Sequence, residues 1–145
     1  RFYIYDNGGH IDEDVLKNLR VRESALSAWQ VYLLITSSTV MPVYWHEGYI
    51  SRKFIYSEND LDDIRPLQEF DLSAVKSNNL LLPFVTTEKD EPSNRYIAHV
   101  YCCYWNEWKG LIREHTKIVI NKNVVESFES DDDFVLYEYD CGIYL

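Results

Sequence analysis

The chain has 145 residues, 46% of them hydrophobic and 15% aromatic, with 14 basic against 24 acidic side chains and a net charge of −10. One core of this size removes most of the apolar surface from water without a metal or disulfide staple, and the composition excludes a disordered chain. No apolar run reaches membrane-spanning length, and Arg1 to Asp6 lacks the form of a signal peptide, so an intracellular, cytoplasmic protein with no membrane contact is expected.

Phe2 to Tyr5 reads as a strand ended by the turn Asp6-Asn7-Gly8-Gly9. Gly8-Gly9 has the position of a phosphate loop but lacks the third glycine and the lysine, and it reads as a turn. Asp12 suits an N-cap, with Val15, Leu16 and Leu19 at helical spacing, which predicts a helix over 12–20. Ser24 suits a second N-cap. Ala25, Ala28, Trp29, Tyr32, Leu33 and Thr36 follow a 3.6-residue period, although Val31 to Ile35 alone also fits a strand.

Val40 to Trp45 and Tyr49 to Tyr56 predict a hairpin around His46-Glu47-Gly48. Ser57 to Asp71 is an acidic connector with Leu61, Ile64 and Leu67 on one face of a short helix. Leu80 to Thr86 predicts a strand in which Pro83 favours an edge or bulge, and Glu88 to Asn94 an exposed loop. Arg95 to Trp105 and Leu111 to Ile120 form a second hairpin around Asn106 to Gly110. Asn121-Lys122-Asn123 turns into a strand over 124–128, Asp131-Asp132-Asp133 reads as an exposed turn, and Phe134 to Tyr139 as a further strand. Gly142 permits a bend before the last residues. Helices early and strands late make the class α+β: an N-terminal strand and one or two helices packed on a mostly antiparallel sheet of hairpins, in a single domain over 1–145.

Tyr44-Trp45-His46-Glu47 before Gly48 and Tyr104-Trp105-Asn106-Glu107 before Gly110 share a pattern, which common hairpin architecture explains more simply than duplication. Cys102, Cys103 and Cys141 are odd in number and two are adjacent, so reduced, partly buried thiols are expected.

Among the four histidines, His10, His46, His99 and His115, two sit beside carboxylates: His46-Glu47 and Glu114-His115. If the hairpins adjoined, these groups could serve as acid and base in a small hydrolase or nuclease. Neighbours on a strand face opposite ways, however, and no zinc-ligand spacing is present. Cys103 and His99 lie four residues apart, roughly 13 Å along a strand and beyond hydrogen-bond reach. No metal and no cofactor is expected.

Charge and rings carry the remaining signal. Residues 123–145 hold seven acids and no base, a charge of −7, and residues 57–71 carry −5. Tyr96, Tyr101, Tyr104, Trp105 and Trp108 cluster in one hairpin, either as core or as an interface. The field repels nucleic acid and attracts basic proteins. The expected function is a small protein-binding inhibitor, such as an immunity protein that neutralises a basic toxin or nucleic-acid-acting enzyme, and a structural subunit is a further alternative. Its binding residues would be Glu126, Glu129, Asp131, Asp132 and Asp133, with Asp60, Asp62, Asp63 and Trp108. The oligomeric state is left open.

Overall fold

The computed structural model describes residues 16, 18–40, 52–64, 73–76, 79–106 and 109–139. The predicted strand over 2–5, most of the first predicted helix and residues 41–51 of the first hairpin lie outside them, as do Trp108 and Cys141, while Val40, expected to open the first strand of that hairpin, closes a helix instead. Leu16 is helical and buried, but Arg20 already forms an antiparallel bridge with Val124, so the first helix ends before residue 20.

The Ser24 hydroxyl accepts the Ser27 N–H at 3.2 Å, and the Ser24 carbonyl accepts the Ala28 N–H at 3.0 Å. This cap opens α1, Ala25–Val40, which the helical period predicts and the alternative strand over 31–35 does not. Ala28, Val31, Tyr32, Ile35 and Thr36 form its buried face, and Thr36 returns its hydroxyl to the Tyr32 carbonyl.

Among the described residues five strands follow. They are β1, Lys53–Ile55; β2, Phe84–Asp90; β3, Arg95–Asn106; β4, Gly110–Asn121; and β5, Val124–Glu138. The sheet runs β1-β3-β4-β5, with β2 also on β3. β1 lies antiparallel to β3 with Phe54 opposite Tyr104, and short turns make the later strands a series of hairpins. Two short helices, α2 (Asn59–Asp62) and α3 (Ser73–Lys76), and a 3-10 turn at Asn79–Leu81 lie between β1 and β2. The class is α+β, with helices packed against an antiparallel sheet.

The turns show why the pairings hold. Lys122 and Asn123 both have positive φ, 51° and 64°, the two-residue geometry that matches strand twist. Asn106 Oδ1 accepts the Lys109 N–H at 3.0 Å and Gly110 follows at φ 98°. A side-chain carbon there would collide with the Tyr137 carbonyl, so position 110 admits only glycine.

Three further expectations need correction. Asp131 to Asp133 are not a turn but part of β5, because pairing in the sheet outweighs the low strand propensity of aspartate. β5 has 15 residues against 12 in β4, yet it starts level at the turn and ends level where Tyr139 N–H bonds to the Lys109 carbonyl. The surplus residues must therefore bulge from the ladder. The expected loop over 88–94 is shorter, since β2 continues to Asp90. The strand expected from Leu80 begins only at Phe84, because Leu80 and Leu81 belong to the 3-10 turn ahead of Pro83.

The chain divides into two compact units. One comprises Arg1–Pro42, Val85–Val100 and Thr116–Ser130; the other comprises Val43–Phe84, Tyr101–His115 and Asp131–Leu145. In the first, Ala98, Val100, Ile118, Ile120 and Val125 are buried along with the inner face of α1. In the second, Ile55, Leu61, Ile64, Val75, Leu81, Cys103, Trp105, Leu111 and Tyr139 form a core.

Candidate functional site

Alternation along β4 decides which side chains of the second unit meet water. Ile112 and Glu114 are buried while Arg113 and His115 are half-buried on the opposite face. Tyr101, on β3, stacks on His115 with ring centroids 4.7 Å apart and 19° between planes. Phe84, at the start of β2, stacks on the other side of Tyr101 at 4.5 Å and 18°. Three rings from three neighbouring strands thus form one ladder.

The Arg113 guanidinium lies over two of these rings, 4.6 Å from the centre of Tyr101 and 5.0 Å from Phe84. Such contacts hold a cation against a π face and fix its position. Phe84 is 39% exposed, so the ladder presents apolar ring surface and a positive charge together. It is assembled in the folded chain by ring stacking, and a site formed before binding has a lower ordering cost.

The opposite face holds a different cluster. Glu114 is 3% exposed and accepts an N–H from Arg52 at 2.8 Å, while Arg52 also covers the Tyr104 ring at 4.5 Å. Phe54 meets Tyr104 edge-on, and its ring stacks on Tyr56. Burial pushes the Tyr56 hydroxyl up from its ordinary value, with Cys102 and Asp60 adding to the effect. Glu114 and His115 therefore point away from each other and do not share a site, while His46 and Glu47 lie outside the described residues.

Cys102 and Cys103 are buried thiols outside any disulfide, as their spacing predicts. The Cys103 thiol donates to the Leu80 carbonyl at 3.2 Å, and burial pushes its pKa up to about 11 against a smaller opposing pull from Arg113. At neutral pH it holds its proton and is a poor nucleophile. His99 faces Glu88 at 3.8 Å. Among the described residues no group of three histidines, cysteines and carboxylates is placed to hold a metal.

The expected acidic binding residues have separate fates. Glu126 is bonded by the Nε and Nη2 of Arg95, the Nε contact being 2.7 Å, and these bonds hold its carboxyl below the usual range. The sequence expectation gave it no local partner, but β3 supplies one from 31 residues away. Asp60 accepts the backbone N–H groups of Tyr56 and Ser57, each at 2.8 Å, and these bonds, Tyr56's first, lower its pKa. It organises the turn into α2. Glu129, Asp131, Asp62 and Asp63 are exposed. Asp132 and Asp133 lie within β5, and Trp108 is outside the described residues.

Within the aromatic cluster, Tyr104 and Trp105 are core, at 1% and 3% exposure, so only Tyr96 and Tyr101 of its described members reach the surface. Sequence reasoning missed Phe84, Arg113 and the stacking role of His115. The available signal was the hairpin register around residues 106–110, which sets 101 opposite 115.

Comparison with protein-family models, with curated proteins and with solved structures found no match.

Proposed function

We propose that this chain is a small acidic protein-binding inhibitor, of the immunity-protein kind, which neutralises a basic toxin or nucleic-acid-acting enzyme. The observation that carries the reading is the preformed Phe84–Tyr101–His115 ladder, half open to solvent, on a chain of charge −10. Rigid rings with an arginine are the side chains that dominate binding energy in protein interfaces, and a negative field accelerates the approach of a basic partner. Exposed Asp131 and Glu129 contribute to that field. The hydrolase alternative has less support, because Glu114 is ion-paired on one face while His115 is stacked on the other.

The test is affinity capture from the native host, run in parallel with the chain, with Phe84→Ala/Tyr101→Ala, and with Asp131→Asn/Asp132→Asn/Asp133→Asn. The reading expects one basic protein, inhibited in proportion to added chain and lost with the ring variant. The acid variant should associate more slowly and with a flatter salt dependence. Capture that ignores both sets of changes, or turnover of a substrate by the chain itself, would overturn it.

A further inference from the structure

The first unit contains a groove of about 500 Å³ between the extended residues 19–22 and the first half of α1, within the size range of small-molecule sites. Its apolar lining includes Leu26, Val31 and Leu34, and its polar lining includes Arg20, Arg22 and Gln30. Leu26, Gln30 and Leu34 recur every four residues, so they form a stripe running about 12 Å along the helix axis. Leu26 is 67% exposed, while Val31 is buried at 3% and supplies the floor.

Charge is placed on the wall formed by residues 19–22. Arg20 and Arg22 are two apart on an extended segment, both are exposed, and neither forms an ion pair among the described residues. Glu23 is the single acid between residues 19 and 34, and it does not line the groove. In a chain of charge −10 this is a local reversal of sign beside the leucines of α1. Ser24, Ser27 and Gln30 also line the groove, and Leu26, Val31 and Leu34 offer the contact surface for an alkyl chain.

We propose that this groove binds a free single-chain amphiphile of medium length, with an anionic carboxylate at Arg20 and Arg22 and an alkyl tail along Leu26 and Leu34. The site shares no residue with the ring ladder and stands whether or not the inhibitor reading does. The probe is decanoate, kept below its micelle concentration at pH 7 and titrated into the full chain by calorimetry and by methyl NMR of Leu26, Val31 and Leu34. Saturable one-to-one binding is expected, with shifts confined to those methyls, at least tenfold tighter than decanol and undetectable for acetate. Arg20→Gln/Arg22→Gln should weaken decanoate at least tenfold and bring it to the level of decanol. Leu26→Asp, at an exposed position where folding is preserved, should abolish it. Equal binding of decanol, no loss in the arginine variant, shifts outside the groove, or an acidic peptide occupying the groove where decanoate does not would each overturn the assignment.

Discussion

Arg52 and Glu114 are 62 residues apart in sequence and 2.8 Å apart in space, with the carboxylate almost fully buried and the guanidinium one-third exposed. The pair gives Glu114 a reason to be inside and ties the segment before β1 to the middle of β4. Arg52→Ala should cost about 2–4 kcal/mol, below the loss for a pair buried on both sides because water still screens Arg52. Glu114→Gln in the same background should recover part of the loss, since it removes the stranded charge. Urea midpoints of the single and double variants measure both effects.

Gly110→Ala should destabilise the chain by at least about 2 kcal/mol. The new carbon meets backbone rather than a movable side chain, and the positive φ adds strain. A midpoint equal to that of the unaltered chain would show that the β4 start and β5 end do not approach as described.

Trp105 is 3% exposed and contacts Tyr139 with ring centroids 5.1 Å apart. Trp105→Ala should lower stability by roughly 3–5 kcal/mol. The melting temperature reads this directly, and an unchanged value would remove Trp105 from the core.

The raised Cys103 pKa gives alkaline conditions a defined sign. The fold favours the protonated thiol, the unfolded chain releases its proton near 9.0, and the folded chain does so only near 11. Stability from this group is therefore complete below pH 9 and declines as pH rises towards 11. Denaturation at pH 8 and pH 10.5 should show a smaller difference in Cys103→Val than in the parent. A thiol reagent at pH 7 should label Cys103 only as the chain unfolds.

Much of this architecture was legible. Ser24 and the period through Ala28, Tyr32 and Thr36 announced α1, while Asn121-Lys122-Asn123 and Gly110 announced the turns, because each is set by local backbone chemistry. The ladder was not legible from residue types. Tyr101, Tyr104 and Trp105 look alike in sequence, and only tertiary cover, from α2 and α3 over Trp105 and from Arg52 and Phe54 over Tyr104, separates the core rings from Tyr101. The Arg95 bond to Glu126 and the Arg52 bond to Glu114 depend on pairing across the sheet, which sequence spacing does not encode. Asp131 to Asp133 misled for the opposite reason: their local preference for a turn is genuine, and the ladder with β4 overrides it.

Among the described residues β5 is the last strand of the sheet path, met beyond β4 only by the Arg20 bridge at Val124, and the end strand of a sheet offers backbone groups to any similar strand that arrives. Phe134 and Val135 are exposed on it, so without a deterrent two copies could zip together. The acids of the same strand supply the deterrent, because each copy meets the other with like charge. As the solution approaches the isoelectric point near 4.7 that guard weakens, and the protein becomes prone to colloidal association through this rim. Every neutralising substitution in the tract carries the same hazard, so binding measured on such variants must be accompanied by particle size.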